Sequence, residues 1–482
     1  MTAKRIGFAL GTLALLASCL LPTPAGLSRE GFVVAGLTVL MAAWWMTEAL
    51  PLTATALMPF LVLPFAGVSS AKDTAATYYS DILFLLLGGA FIALAIERTG
   101  LHRRLAVGVL RLAGREAGPW GLLIAFMAST AMLSMFISNT STALIMMPMA
   151  LAVLEGGKAD PADPAGATAS TSTAIGLQGL SGALPMGIAF AASIGGLGTI
   201  VGSPTNAIAV GLIDEALGYR IGFAEWMAFG VPMVLVGIPL AAWIVGRVQR
   251  VGATPFDAGA ARAAIATHHA WTAPERRLVP LVAFTFLAWL VQAWVAPLLP
   301  EGSLTDGTIA IAASLALFLL PDGTGRPLLT WAEADRAPWG VIMMFGGGLA
   351  LAAGMGASGL AGWLGQELLP LRAAPLIVVA LALTALVVLV TEFASNVATA
   401  SAIMPVVASL AVALGADPLL LAIPAAFAAS WGFMLPAGTG PNAIAWATGR
   451  IRLGAMVRAG LLLDIAGIAL IVAVVWGVRA LV

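Results

Sequence analysis

Two polar interruptions, FISNTSTALIMMP at 136–148 and FASNVATASAIMP at 393–405, decide how this chain folds. Each places a Ser-Asn pair inside very apolar sequence, with a proline nine residues after the asparagine. Two further breaks follow, GSPTNAIAV at 202–210 and GTGPNAIAW at 438–446. A bilayer tolerates interrupted helices only where protein or a water-filled cavity satisfies the freed backbone groups. Such breaks, in corresponding positions of two halves, are typical of the binding sites of membrane transport proteins.

The composition is that of a polytopic membrane protein. Of the 482 residues 60% are hydrophobic and 10% are charged, and apolar stretches long enough to span a bilayer recur along almost the whole chain. The net charge is zero, which gives no indication of nucleic-acid binding. A single cysteine, Cys19, excludes a disulfide framework and a cysteine metal site. The N-terminal apolar run is interpreted as a first transmembrane helix rather than a signal peptide.

We predict an all-α polytopic membrane protein with about eleven transmembrane helices and two re-entrant helical hairpins. The predicted units, in chain order, are an N-terminal transmembrane helix (1–29), a first inverted repeat (30–250) with hairpin 119–154 and broken helix 176–213, a cytoplasmic linker (251–276), and a second inverted repeat (277–482) with hairpin 374–413 and broken helix 418–448.

The spacing of the motifs indicates an internal duplication. Asn139 and Asn396 of the Ser-Asn pairs are 257 residues apart, whereas Asn206 and Asn442 of the later breaks are 236 apart. The difference of 21 is the length of the small-residue stretch 155–175. We therefore interpret that stretch as an insertion in the first repeat.

The distribution of Lys and Arg predicts the orientation of the chain. If the N-terminus is cytoplasmic and both bent segments are hairpins, 18 of the 23 basic residues lie on the cytoplasmic side. If the bent segments were single spans, Arg247, Arg250, Arg276 and Arg277 would face outward and the bias would largely disappear. The charge pattern thus favours hairpins and halves of inverted topology.

The four motifs offer hydroxyls, amides and freed carbonyls. Helix N-termini favour anions, while carbonyl groups at C-terminal ends suit a hard cation such as sodium. The alternative is that these small polar residues only allow helices to pack closely. No Lys or Arg lies near the motifs, so co-bound cations and helix dipoles must neutralise an anion there. Glu392 is interpreted either as a proton or cation ligand or as a group that holds the second tip by hydrogen bonding, and Asp464 has no assigned role.

At these motifs the chain resembles the divalent anion–sodium symporter (DASS) family, the INDY-type sodium-coupled di- and tricarboxylate transporters. The segments that carry the resemblance are WWMTEALPL, LLLGGAFIALAIERTGLHRRLA, SNTSTALIMMPM, GSPTNAIA, FGGGLALA, TEFASNVATASAIMP and GTGPNAIA. The resemblance implies a homodimer in which each subunit has a scaffold domain and a mobile transport domain that moves as an elevator. It also implies co-transport of sodium ions with dicarboxylates, citrate or sulfate.

The resemblance also implies the site residues. Sodium ligands would come from both tips and both breaks: Ser134, Ser138, Asn139 and Gly202 at one site, and Thr391, Ala394, Asn396 and Gly438 at the other. Substrate would contact Asn139, Thr140, Ser203, Asn396, Val397, Thr439 and Gly440. Val397 stands where a threonine is commonest and Gly440 where a proline is frequent, so these two positions leave the exact anion open.

We expect a transporter and not an enzyme. The favoured function is sodium-coupled uptake of a C4-dicarboxylate or citrate through the inner cell membrane, with a cytoplasmic N-terminus. A sodium-independent dicarboxylate or anion exchanger on the same fold is the first alternative. A distant alternative is an intramembrane serine hydrolase, because Gly356–Gly359 matches a GxSG motif; however, no span contains a histidine that could act as base.

Overall fold

The computed structural model describes residues 3–112, 118–156, 179–252 and 270–481. Regular structure in these ranges is helical, apart from an isolated β-bridge between Pro321 and Pro327, so the all-α prediction is confirmed. The helices, in chain order, are α1 Ala3–Leu20, α2 Arg29–Thr47, α3 Leu52–Thr55, α4 Met58–Phe65, α5 Ala71–Thr77, α6 Asp81–Thr99, α7 Leu101–Leu112, α8 Pro119–Ser134, α9 Asn139–Gly156, α10 Leu180–Gly196, α11 Pro204–Leu217, α12 Phe223–Val248, α13 Ala273–Val295, α14 Asp306–Leu319, α15 Trp331–Ala334, α16 Trp339–Ala357, α17 Leu360–Glu367, α18 Leu376–Thr391, α19 Asn396–Leu414, α20 Leu419–Ala428, α21 Gly440–Ala447 and α22 Leu453–Leu481.

Eight stretches of the described chain are long and apolar enough to cross a membrane, and seven shorter apolar stretches accompany them. The eight are formed by α1, α2, α6, α12, α13 with its 3-10 extension, α16, α19 and α22. The predicted insertion at 155–175 and most of the linker at 251–276 lie outside the described residues. The predicted total of about eleven spans, the domain boundaries and the orientation stay predictions.

Two apolar runs of the sequence, 52–67 and 338–366, are interrupted in the structure. The apolar run 52–67 forms α3 and α4, separated where the Tyr78 hydroxyl donates to the Ala56 carbonyl at 2.7 Å. The run 338–366 divides into α16 and α17 at Gly359, whose φ of +77° is a left-handed conformation that favours glycine. Hydropathy did not reveal either interruption, because both lie within continuous apolar sequence.

In the first bent segment, α8 runs in the same direction as α10. Glycines on α10 allow the close approach: a Cβ at Gly187 would lie 2.9 Å from Leu123, and one at Gly195 would lie 2.4 Å from Ala131. Later residues of α10 therefore meet later residues of α8. The C-terminal end of α8 thus lies beside the C-terminal end of α10.

Helix α9 runs in the opposite direction to α10. At its start, the Asn139 side chain lies against Gly196 at the end of α10. At its end, Glu155 pairs with Arg450 at 2.6 Å, and Arg450 also donates to Ser181 at the start of α10 at 3.2 Å. Helices α8 and α9 are therefore antiparallel, as expected of a helical hairpin.

The second bent segment has the same construction. Arg372, just before α18, donates from Nε to the Ala413 carbonyl at the end of α19 at 2.9 Å, so the open ends of α18 and α19 lie together. Both helices also contact α20. Residues 392–395 thus form the tip of a second hairpin.

The two halves exchange their broken helices. Helix α11, after the first break, packs against α19 of the second hairpin, while α21, after the second break, packs against α9 and α10. Helices α12 and α22 contact each other. Each hairpin tip therefore lies among residues of both halves of the chain.

Helix α16 joins this central assembly to the outer helices. A Cβ at Gly347 would lie 2.3 Å from the Ala56 carbonyl, so α16 touches the α3–α4 connection at backbone distance. On its other side, Phe345 fills the space above Gly211 of α11. Substituting either glycine would push these elements apart.

Candidate binding site at the two hairpin tips

At the first tip, Ser134 and Asn139 bind each other and the facing helix. The Ser134 hydroxyl donates to the Ala192 carbonyl at 2.7 Å. With its amide oriented by these neighbours, Asn139 donates from Nδ2 to Ser134 Oγ at 2.8 Å, to the Ala192 carbonyl at 3.1 Å and to the Gly202 carbonyl at 3.3 Å. This orientation leaves the Asn139 side-chain oxygen available as a ligand.

Backbone carbonyl groups converge at Gly202 in the first break. A Cβ at this position would lie 2.6 Å from the Gly196 oxygen, 2.9 Å from the Ser134 oxygen and 3.1 Å from the Met135 oxygen. Asn206 directs this segment by donating from Nδ2 to the Gly196 carbonyl at 2.7 Å. Backbone carbonyl oxygens are ligands that a hard cation prefers, and two of these, on Gly196 and Met135, also accept hydrogen bonds from the Asn206 and Thr199 side chains.

The second tip repeats these contacts with different residue types. Thr391 takes the place of Ser134: its hydroxyl donates to the Ala429 carbonyl at 2.6 Å and lies 3.0 Å from Asn396 Oδ1. Ser395 caps α19 by accepting a hydrogen bond from the Ala398 N–H at 3.2 Å. The motifs that the sequence pairs by spacing therefore occupy equivalent structural positions.

The second break is nonhelical from 429 to 439, and Glu392 satisfies part of its backbone. The Glu392 carboxylate accepts hydrogen bonds from the N–H groups of Phe433, Met434 (2.9 Å) and Leu435 (3.2 Å). Asn442 donates to the Leu435 carbonyl at 3.1 Å. This bond corresponds to the one from Asn206 to the Gly196 carbonyl at the first break. Of the two interpretations of Glu392, the structure supports hydrogen bonding, directed at the facing break rather than at its own tip.

Gly438 occupies the position equivalent to Gly202. A Cβ there would lie 3.4 Å from the Leu435 oxygen and 3.5 Å from the Glu392 backbone oxygen. The surroundings are less crowded than at Gly202, but carbonyl oxygens again face the glycine. Ala394, the remaining predicted ligand at this tip, is buried.

Residues predicted to bind substrate lie on both halves. Thr140 and Gly440 are exposed and meet directly: a Cβ at Gly440 would lie 2.4 Å from Thr140 Oγ1. The absence of proline at this position thus has a structural reason, because a proline Cβ would collide with the Thr140 side chain. The exposed Ser138 lies at the same tip and accepts from the Ser141 N–H at 3.2 Å.

The other predicted substrate contacts are more enclosed. Ser203 caps α11 and accepts from the Thr205 N–H at 3.4 Å, and Thr439 caps α21 and accepts from the Asn442 N–H at 3.2 Å. Val397 is half-buried and packs against buried apolar side chains. Substrate and sodium binding by these residues stay predictions.

Sequence reasoning missed the side chains that orient the breaks. Asn206 donates to the Thr199 carbonyl as well as to Gly196, and the Thr199 hydroxyl donates to the Met135 carbonyl. Asn442 has the corresponding role in the second half. Their signal in the sequence is the (S/T)-x-x-N pattern of both breaks, from Ser203 to Asn206 and from Thr439 to Asn442.

The GxSG motif has no catalytic surroundings in the described structure. Ser358 is buried at the end of α16, and its hydroxyl lies 3.4 Å from the Met355 carbonyl. Its own carbonyl accepts from the Ser28 hydroxyl at 3.0 Å, which links α16 to the start of α2. This serine is a helix-packing residue.

Comparisons with known proteins agree with this arrangement. The family model described as "Sodium:sulfate symporter transmembrane region" matches residues 3–481. The sodium-dependent dicarboxylate transporter SdcS of Staphylococcus saprophyticus is 37% identical over 98% of this chain and 90% of its own length. SdcS of Staphylococcus aureus (strain USA300) is 36% identical over 99% of this chain and 91% of its own length.

Among solved structures, the Alcanivorax borkumensis YdaH transporter matches with a TM-score of 0.56 and 15% identity, over 91% of this chain and 97% of that chain. This likeness shows the fold alone. The family match covers almost the whole chain and includes both tips and both breaks. The chain therefore belongs to the sodium:sulfate symporter family of multi-pass membrane transporters, which is the divalent anion–sodium symporter family that its motifs resemble, and not to an enzyme family.

Proposed function

We propose that this chain couples sodium entry to the uptake of a C4-dicarboxylate or citrate. The observation that carries the proposal is the pair of equivalent tips, each with a Ser or Thr hydroxyl bound to an asparagine and carbonyl groups around a glycine. The relatives named sodium-dependent dicarboxylate transporters support the same cation and substrate class.

The proposed sodium ligands are the predicted ones. They are Ser134, Ser138, Asn139 and Gly202 at the first site, and Thr391, Ala394, Asn396 and Gly438 at the second. The converging carbonyl oxygens at Gly202 fit a small hard cation, because each brings a partial negative charge and none needs to be deprotonated. Ions bound here place positive charge where the anion binds.

The proposed substrate contacts lie between the two tips. Asn139, Thr140, Ser203, Asn396, Val397, Thr439 and Gly440 form the proposed set. Arg450, the first arginine after the second break, is engaged with Glu155 at the far end of α9. The anion is therefore neutralised by sodium and by helix N-termini, and binding of the two solutes is mutually dependent.

We further propose a homodimer in the cell membrane with a cytoplasmic N-terminus. The hairpins and broken helices form the mobile transport domain of an elevator, and the outer helices form the scaffold. The packing of α11 on α19 and of α21 on α9 supports movement of the four elements as one body.

Uptake into proteoliposomes tests the function. Purified protein is assayed with radiolabelled succinate, citrate and sulfate, with and without an inward sodium gradient. We expect uptake of at least one dicarboxylate or citrate that requires sodium and that potassium does not support. Equal uptake in choline buffer, driven by a dicarboxylate inside the vesicles, would establish the exchanger instead.

A further inference from the structure

Asp464 is a buried acidic residue in the middle of the apolar helix α22. Its exposed fraction is 3%, and that of Glu392, the carboxylate it faces, is 1%. An ionisable side chain at such a depth is costly and is retained for a function. The binding site as described above makes no use of Asp464.

Glycines hold the Asp464 face of α22 against the second break. A Cβ at Gly460 would lie 2.5 Å from the Met434 backbone, and one at Gly467 would overlap the Trp431 ring. Gly460, Asp464 and Gly467 share one face of the helix because of their spacing. The indole N–H of Trp431 also donates to the Leu463 carbonyl at 3.1 Å. Asp464 is thus held beside residues 431–434.

The hydrogen bonds of the two carboxyl groups are unequal. Glu392 receives three backbone N–H groups, whereas Asp464 lies beside only one of them, that of Phe433, and its oxygens have no hydrogen bond of regular geometry from the described residues. Two facing carboxylates would leave unpaired charge in a buried site, which costs several kcal/mol. A neutral Asp464 removes that cost, because a carboxylic acid has an O–H group to donate.

We propose that Asp464 is a neutral hydrogen-bond donor to Glu392 and thereby positions the nonhelical segment 433–435 that leads to the second sodium site. Asp464 is a positioning residue: it contacts Glu392, and Glu392 holds the Phe433, Met434 and Leu435 backbone. A cation between the two carboxyl groups is disfavoured, because three N–H dipoles already point at Glu392. The part of this inference that concerns sodium affinity rests on the proposed function.

Substitution by Asn and by Leu tests the role of the donor. Asp464→Asn keeps a donor of the same size without charge, whereas Asp464→Leu keeps the volume and removes the donor. Asp417→Asn is the control. Asp417 pairs with Arg479, which lies on α22 as Asp464 does but away from the tips. Two quantities are measured: the sodium concentration for half-maximal succinate uptake, and hydrogen–deuterium exchange of a peptide containing 433–435.

We expect Asp464→Asn to resemble wild type and the control within about twofold in both measurements. Asp464→Leu should raise the half-maximal sodium concentration and the exchange rate by about tenfold, the effect of losing one hydrogen bond to a charged group. If the leucine variant does not fold, Asp464→Ala, which also removes the donor, takes its place.

Two results would overturn the inference. If Asp464→Asn is as impaired as Asp464→Leu, a negative charge is required at this position, and the proposal that Asp464 is a neutral donor is wrong. If all variants behave as wild type, Asp464 does not position the segment. The exchange measurement needs no uptake, so it decides the inference even if succinate is not transported and the proposed function fails.

Discussion

Gly202→Ala is the sharpest test of the first proposed sodium site. The new Cβ would lie 2.6 Å from the Gly196 oxygen, whereas ordinary contact begins at 3.4 Å, so these atoms must separate by 0.8 Å. The groups of a binding site must be held within about 0.5 Å of their productive positions, so a shift of this size is too large. The other two close atoms, the backbone oxygens of Ser134 and Met135, are not the ends of flexible side chains that could turn away. The carbonyl cluster therefore cannot keep its arrangement.

Overpacking of this kind costs about 1–3 kcal/mol. If that cost falls on the sodium-bound state, sodium affinity decreases by about 5-fold to 150-fold. We expect Gly202→Ala to raise the half-maximal sodium concentration for uptake at least about tenfold or to abolish uptake. The assay is sodium-dependent succinate uptake into proteoliposomes, with monodispersity in detergent as the measure of folding.

Gly356→Ala is the matched control. A Cβ at Gly356 would meet no atom within 4 Å, and the position is helical. We expect unchanged uptake and a stability equal to or slightly above wild type, because alanine favours helices by roughly 0.5–1 kcal/mol over glycine. Wild-type sodium dependence in Gly202→Ala would refute the assignment of the carbonyl cluster as a cation site.

Three further predictions concern the tips. Asn139→Ala and Asn396→Ala should each abolish uptake in a protein that still elutes as a folded species, and normal uptake by either variant would remove that tip from the site. Gly440→Ala should weaken succinate affinity by displacing Thr140, and adding Thr140→Ser should restore part of it, as competition assays would show. Val397→Thr should change the relative affinities for succinate, citrate and sulfate; unchanged ratios with a lower melting temperature would mean that this side chain only packs.

The interruptions at the tips could be predicted because polar residues are rare in apolar sequence. Asn139 and Asn396 stand out for that reason, and their spacing identified the two halves. The antiparallel course of α8 and α9 could be predicted from the distribution of Lys and Arg residues. That distribution depends on the side of the membrane on which each loop lies, and not on contacts between helices. These predictions needed only local composition and counting.

Contacts between distant segments could not be predicted in the same way. Thr140 meets Gly440 because α21 of one half packs on α9 of the other, and no local pattern contains that information. The same holds for Asp464 on α22 and Glu392 at the second tip, which are distant in the chain. At the split of 52–67 into two helices, the Ala56 carbonyl accepts a hydrogen bond from Tyr78, a residue outside the apolar run.

The exchange of broken helices has a consequence for biogenesis. The faces of α9 and α10 that receive α21 are complete long before residues 440–447 leave the ribosome. Until then the first hairpin lacks its covering helix. Because chains emerge from the N-terminus, the tips can assemble only after nearly the whole protein has been inserted. A nascent chain arrested before α21 is therefore an inserted membrane protein without a completed site, and it presents an uncovered groove to the insertion machinery and its chaperones.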